Sequence, residues 1–207
     1  MGHPVFARLY ERMAPSLERA GGATHRDEPL AGISGRVIEV GAGNGSCFAH
    51  YPDTVAELVA VEPEPSLRRA AQSAARSVDM PIGVVDGHAS ALPGEDASFD
   101  AAVASLVLCS VPDPEAALRE VRRVLRPGGE LRFYEHVRSR DLLFAGYQQA
   151  AGLVWPRLMG GCHPQRQTQA AIDQVFTIET CRGFRFPADA YLWPVAPRIL
   201  GIARKAE

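Results

Sequence analysis

The chain has 207 residues, 46% of them hydrophobic, and a net charge of −2 with acidic and basic residues mixed along its length. This length can bury a substantial core but is short for two full domains, so we expect one domain over residues 1–207. The near-neutral charge disfavours nucleic-acid partners, and no apolar stretch approaches the roughly 20 residues of a membrane span.

Strand-like apolar runs alternate with helical stretches through the first two thirds of the chain. After an N-terminal helical stretch, the predicted strands are "GRVIEVG", "ELVAVEP", "PIGVVDG", "FDAAVASLVL" (99–108) and "GELRFYEHV". Helical spacing is seen in "PSLRRAAQSAARS" and "DPEAALREVRRVLRPGG". Strands separated by helices indicate a parallel sheet. Residues 138–175 are predicted to be helices and loops, and residues 176–207 to supply two closing strands.

A glycine-rich turn ends the first predicted strand, in "EVGAGNG" at residues 39–45. Glycines let a backbone pass close to a ligand, and we expect a helix to begin directly after them. Glu62 ends the second strand, 21 positions after Gly41, where a carboxylate can accept both hydroxyls of a ribose. Nicotinamide redox chemistry and methyl transfer share this arrangement. Ser46 stands where the dinucleotide fingerprint has its third glycine, which argues against NAD.

Four further segments, taken with the glycine turn, resemble the class I S-adenosylmethionine-dependent methyltransferases of the type 11 group. They are Leu92-Pro93, Ser98-Phe99-Asp100, 106–111 and "LREVRRVLRPGG" at 118–129. The resemblance covers most of residues 35–137, the expected cofactor-binding core. It implies an α/β, Rossmann-like fold, with a seven-stranded, mainly parallel sheet and helices on both faces. It also implies S-adenosyl-L-methionine as the cofactor.

The resemblance implies that a set of residues at the strand ends and in the predicted N-terminal helix binds the cofactor. These are Tyr10, Gly41, Ala42, Gly43, Asn44, Glu62, Pro63, His88, Ala89, Ser105 and Leu106. At position 88 the family often has an aspartate that accepts from the adenine amino group, so His88 is a departure. Leu106 could equally belong to the core, and the alternative for Tyr10 is a predicted amphipathic helix that packs Phe6, Leu9 and Met13 inward.

The C-terminal third narrows the resemblance to the methyltransferase-like family of alkyl-thiol S-methyltransferases. The matching pieces are "LVLCSV", "EHV" at 135–137, Trp155, "GCHPQRQT" at 161–168 and "PRILGIA" at 197–203. They imply that residues 138–175 form a helical cap over the pocket of a small-molecule acceptor, which would be a thiol. The alternatives are N- or O-methylation of a small molecule or lipid headgroup, a NAD-dependent oxidoreductase, and a non-catalytic cofactor-binding protein.

A thiol acceptor must lose its proton, because a free thiol near pKa 8.5 is only a few per cent thiolate at neutral pH. His136, at the end of the fifth strand, is the first candidate to take that proton, and His163 is the second. The six histidines show no metal-ligand spacing, so no metal is expected. The four cysteines form no CxxC pair and no signal peptide precedes them, which predicts reduced thiols in a cytoplasmic protein.

Overall fold

The computed structural model describes residues 23–206. Its strands are β1 (Gly35–Val40), β2 (Val55–Val61), β3 (Ile82–Val85), β4 (Phe99–Ser105), β5 (Leu125–His136), β6 (Thr177–Arg185) and β7 (Pro197–Arg204). Its α-helices are α1 (Ala23–Leu30), α2 (Pro65–Ala75), α3 (Pro114–Val124), α4 (Leu142–Ala151), α5 (Trp155–Leu158) and α6 (Thr168–Asp173). The predicted N-terminal helix and Tyr10 lie outside the described residues.

The seven strands form one sheet in the order β3-β2-β1-β4-β5-β7-β6. Strands β1 to β5 run parallel, and β7 is antiparallel to both β5 and β6. This confirms the predicted Rossmann-like, mainly parallel sheet and the two closing strands. The strand order reverses between β1 and β4, so the carboxyl ends of these strands border the crevice in which open α/β sheets bind ligands.

Two apolar clusters fill the two faces of this sheet. One contains the buried face of α3, with Leu118 and Val121, together with Ile172 of α6. The other contains Ala71 of α2 and the aromatic ring of Phe48. Helices therefore cover both faces of the sheet, as predicted. In the described part of the chain, no helix is long and apolar enough to cross a membrane.

The helix expected after the first glycine-rich turn does not form. A three-residue 3-10 helix, Phe48–His50, stands in its place. Gly41, Gly43 and Gly45 have φ values of 69°, 58° and 80°, so the chain is in the left-handed region at each of these positions. Tyr51 is already extended, as expected for a residue before proline. The turn is therefore packed as a loop, and the prediction of a helix here was wrong.

The fourth strand is also shorter than the predicted 99–108. It ends at Ser105, because Leu106 has a φ of 57° and turns the chain away from the sheet. Residues 107–109 then form a loop over the carboxyl ends of the strands. A leucine in the left-handed region is uncommon, so this turn must be held by its surroundings.

Candidate active site

The glycine turn is fixed against the end of β2 by backbone hydrogen bonds. The N–H groups of Gly41 and Ala42 donate to the carbonyl of Val61 at 2.8 and 3.0 Å. On its other side the turn meets the loop after β4, where a Cβ on Gly41 would overlap the side chain of Val107. Only glycine combines this backbone conformation with this close approach.

Glu62 is buried and binds the turn directly. Its Oε2 accepts from the N–H of Gly43 at 2.8 Å, and its Oε1 accepts from the N–H of Glu64 at 2.8 Å. Burial raises the pKa of Glu62, while these two backbone donors act in the opposite direction. A carboxylate has about four acceptor positions, so two remain for the hydroxyls of a ligand.

A second polar group in the turn lacks a partner among the described residues. The Oδ1 atom of Asn44 is buried and accepts no hydrogen bond there. A buried acceptor without a donor is costly, and a ligand that carries an N–H or ammonium group would satisfy it. Glu62 and Asn44 together therefore fit a cofactor that offers ribose hydroxyls and an amino group.

The described members of the predicted cofactor-binding set follow the ends of four neighbouring strands. Those after β1 are Gly41, Ala42, Gly43 and Asn44; after β2, Glu62 and Pro63; after β3, His88 and Ala89; and at the end of β4, Ser105 and Leu106. Ala89 packs on the core, while the His88 side chain is exposed. The topology thus brings all ten to one edge of the sheet.

Glu135, in β5, organises the loop after β4 and is a residue whose role the sequence did not reveal. Its carboxylate accepts from the N–H groups of Val107, Leu108 and Cys109 at 2.8, 2.7 and 3.2 Å. The side chain is fully buried, and burial raises the pKa of Glu135 well above its ordinary value. The only sequence signal was an acidic residue inside an otherwise apolar strand end.

The next residue, His136, points to two cysteine side chains. Its Nδ1 atom lies 3.3 Å from Sγ of Cys109 and 3.4 Å from Sγ of Cys162, and the two sulfurs are 3.6 Å apart. We call these three residues the CHC cluster. Burial lowers the pKa of His136, although Cys109 acts in the opposite direction.

His163, the second predicted proton acceptor, lies outside the CHC cluster. Its backbone N–H donates to the carbonyl of Cys109 at 2.8 Å, which joins the cap to the loop after β4. Burial and the nearby Arg166 guanidinium lower the pKa of the His163 side chain. The contact that His163 makes with the loop after β4 is thus formed by its backbone N–H.

Three side chains dock the cap on the sheet. Gln148 is fully buried; its two amide N–H bonds are shared among the carbonyls of residues 137, 164 and 194, and its Oε1 accepts from the N–H of Ser139. Thr168 donates to the carbonyl of His136 at 3.1 Å, and Arg166 donates to that of Leu108 at 2.7 Å. Because these polar groups are satisfied by the backbone, the cap is held in one position.

Apolar residues surround the CHC cluster on the side of the cap. Val195 packs with both cysteines, and Trp155 of α5 and Met159, which follows this helix, lie against them. The ring of Trp155 meets that of Trp193 edge to face, with centroids 5.3 Å apart. The surroundings of the CHC cluster on the side of the cap are therefore largely apolar.

Comparisons with known proteins agree with this geometry. Residues 38–133 match the family profile described as a methyltransferase domain. Thiol S-methyltransferase TMT1B of Rattus norvegicus is 33% identical over 208 residues, which span 96% of this chain and 82% of that protein. Demethylmenaquinone methyltransferase of Renibacterium salmoninarum is 35% identical over 96 residues, 46% of this chain and 39% of that protein.

A solved structure shows the same fold. The S-adenosylmethionine-dependent methyltransferase of Mesorhizobium loti superimposes with a TM-score of 0.64 at 20% identity, covering 93% of this chain and 97% of that one. At this identity the likeness concerns the fold alone.

Proposed function

Because this chain belongs to the S-adenosylmethionine-dependent methyltransferase family that includes the thiol S-methyltransferases, we propose that it methylates a small thiol. Its cofactor is S-adenosyl-L-methionine, and methyl transfer is its class of reaction. Membership of this family excludes the NAD-dependent and non-catalytic alternatives. The acceptor is the part that we propose, and the compartment that suits a free thiol is the reducing cytoplasm.

The extent of the similarity is the observation that carries the thiol proposal. The relative that acts on thiols matches 96% of this chain, so the similarity continues beyond the cofactor edge into the cap and the closing strands. The methyltransferase that acts on demethylmenaquinone matches only 46%. Since function resides in the site and not in the scaffold, similarity on the acceptor side is the more informative.

We assign binding of the cofactor to the glycine turn and the side chain of Glu62. Glu62 would accept from the ribose hydroxyls, and Asn44 Oδ1 would accept from the amino group. When bound, the cofactor supplies a sulfonium-activated methyl group, whose transfer to a thiolate yields a thioether and S-adenosylhomocysteine. The residues of the chain have to align the acceptor and exclude water.

The acceptor side suits a small apolar thiol. Trp155, Met159 and Val195 offer an apolar wall, and the half-buried His136 is the polar group in it. Proton loss from the thiol is therefore proposed to occur beside His136, at the carboxyl end of β5. Burial lowers the pKa of this imidazole and so favours its neutral form, which can accept a proton.

The proposal is tested by incubating the full chain with S-adenosylmethionine and a panel of alkyl thiols, amines, phenols and carboxylates. Mass spectrometry then identifies the compounds that gain a methyl group. We expect thiols to be methylated, and the signal to fall in a Glu62→Ala variant that retains its fold. Methylation of amines or phenols without any thiol would show that the acceptor class is wrong.

A further inference from the structure

The CHC cluster brings three metal-binding side chains to one point from three separate segments. Cys109 lies in the loop after β4, His136 ends β5, and Cys162 lies in the cap. All three ligand atoms, two Sγ and one Nδ1, lie within 4.8 Å of one another. Thiolate and imidazole are the ligands that zinc prefers in proteins.

The distances match the edges of a tetrahedral zinc site. With Zn–S near 2.3 Å and Zn–N near 2.0–2.1 Å, a tetrahedron has edges of about 3.8 Å between sulfurs and about 3.6 Å between sulfur and nitrogen. In this structure the sulfurs are 3.6 Å apart, and the nitrogen is 3.3 and 3.4 Å from them. A zinc ion can therefore bind between the two Sγ atoms and Nδ1 if these atoms shift by a few tenths of an ångström.

Hydrogen bonding accounts less well for this arrangement. The Sγ atom of Cys162 can donate to that of Cys109, and Cys109 Sγ also lies 3.6 Å from the carbonyl oxygen of Leu106. The Nδ1 atom of His136, however, carries either one proton or one lone pair, so it cannot form a full hydrogen bond with each of the two sulfurs. A disulfide would need the sulfurs to approach from 3.6 Å to about 2.05 Å, away from the imidazole. A shared cation satisfies all three groups at once.

The backbone around each of the three ligands is held independently of any ion. Glu135 binds the N–H of Cys109, Thr168 binds the carbonyl of His136, and the N–H of His163 donates to the carbonyl of Cys109. Gly161, at a φ of 83°, lets the chain before Cys162 pass where a Cβ would lie 2.9 Å from the carbonyl oxygen of Ser110. A metal site needs this kind of support around its ligands.

We propose that Cys109, His136 and Cys162 bind a zinc ion through two thiolates and Nδ1. Among the described residues, no fourth His, Cys, Asp or Glu joins the group, so one coordination position is left open. Three protein ligands with an open position are typical of catalytic zinc sites, whereas structural sites are closed by four.

The open coordination position can be taken by the molecule that is methylated. The identity of that molecule rests on the proposed function. An acceptor thiol takes the fourth position, releases its proton to solvent and is held as a thiolate. Its sulfur then bonds to the methyl carbon as the carbon–sulfonium bond breaks and as its own bond to zinc is lost. His136 contributes to proton loss as a zinc ligand, with its proton on Nε2, and not as a free base.

Metal content of the purified full chain tests the site without relying on activity. We expect an equimolar amount of zinc by elemental analysis, and a thiolate-to-metal absorption band when Co²⁺ replaces it. Loss of an outer-shell partner alone costs about 10- to 100-fold in affinity, so Cys109→Ser or Cys162→Ser should weaken Zn²⁺ binding by at least about 100-fold in a chelator competition. Cys181→Ser, at an exposed cysteine on β6, is the matched control and should bind normally.

The outcomes separate this inference from the proposed function. A folded wild type that methylates thiols yet binds no Zn²⁺ overturns the zinc site and leaves thiol methylation standing. Zinc that is bound with equal affinity by the Cys109→Ser variant overturns it as well. Zinc bound by the CHC cluster in a protein that methylates only amines or phenols supports the site and refutes the proposed acceptor.

Discussion

The carboxylate of Glu62 accepts a hydrogen bond from the backbone N–H of Gly43 at 2.8 Å. This bond joins the end of β2 to the glycine turn after β1, so the carboxylate is oriented before any ligand binds. A second bond, from the N–H of Glu64, holds its other oxygen. The cofactor edge of the sheet is thus preorganised by one buried acidic side chain.

Replacing Glu62 should weaken cofactor binding. In Glu62→Gln an amide replaces one carboxylate oxygen, so a ribose hydroxyl loses a charged acceptor, a loss of about 1.5–3 kcal/mol or about 10- to 100-fold in Kd. Calorimetric titration with S-adenosylhomocysteine measures this change. Glu57→Gln, at an exposed position on β2, the strand that precedes Glu62, is the control. Unchanged affinity in a folded Glu62→Gln variant would refute the assignment.

Gly41→Ala should destabilise the protein by two separable effects. The first is the cost of a Cβ at positive φ, about 1–2 kcal/mol, and the second is overlap with Val107. Gly32 has a φ of 74° and open space within 4 Å of the position that a Cβ would take, so Gly32→Ala measures the first effect alone. Urea unfolding should show a larger loss for Gly41→Ala, and Val107→Ala in the same chain should recover part of it. Equal losses at both glycines would contradict the close approach.

Removing the Glu135 carboxylate should open the loop after β4. In Glu135→Ala three backbone N–H groups lose their acceptor, and each buried unsatisfied group costs about 1–3 kcal/mol. Chemical unfolding should therefore show a loss of at least about 3 kcal/mol. Glu179→Gln, on the solvent-facing strand β6, should change stability little. A Glu135→Ala protein as stable as the wild type would mean that the loop has another support.

The buried side chain of Glu39, in β1, should make the free energy of unfolding depend on pH. Burial raises the pKa of Glu39 to about 7 from an ordinary value of 4.5. Between these values the unfolded chain has released a proton that the folded chain keeps, so the free energy of unfolding decreases as pH rises from about 4.5 to 7. The decrease amounts to about 3 kcal/mol for this shift. Glu39→Gln should remove that part of the slope in unfolding curves recorded from pH 4.5 to 8, and an unaltered slope would refute it.

His136→Ala should lower turnover with an alkyl thiol by about 10²-fold or more at pH 7, with little change in cofactor affinity. The deficit should shrink as pH rises past about 8.5, because the free thiolate then becomes abundant without help. Turnover measured from pH 7 to 9.5 tests both points. His50→Ala, on the 3-10 helix and outside the CHC cluster, is the control for loss of a histidine. Full activity of His136→Ala at pH 7 would exclude a role in proton loss.

The sheet and the close approach at the glycine turn were predictable because their signals are local in the sequence. Continuous apolar runs mark buried parallel strands, and the glycines before Ser46 mark a close approach of the backbone. The short 3-10 helix was not foreseen, since nothing in "GSCFAHYPD" contradicts helical spacing until Pro52. The turn at Leu106 was missed for a related reason: it depends on hydrogen bonds to Glu135, which is 27 or more positions away.

The CHC cluster could not be found from ligand spacing. Such patterns detect ligands a few positions apart on one turn or helix, whereas Cys109 and His136 are 27 positions apart and Cys162 follows 26 later. Their proximity is a property of the topology. Two neighbouring parallel strands end at the same edge, and the cap returns to it through the bonds of residues 163, 166 and 168.

The bonds of Gln148 also join segments that are synthesised at different times. Strands β1 to β5, with the whole cofactor edge, are complete once residue 136 has been synthesised. The Gln148 amide, however, needs the carbonyl of Pro194, which is translated 46 residues later than Gln148 itself. A nascent chain therefore contains every described residue of the predicted cofactor-binding set before the carbonyl that Gln148 contacts next to β7 has been translated.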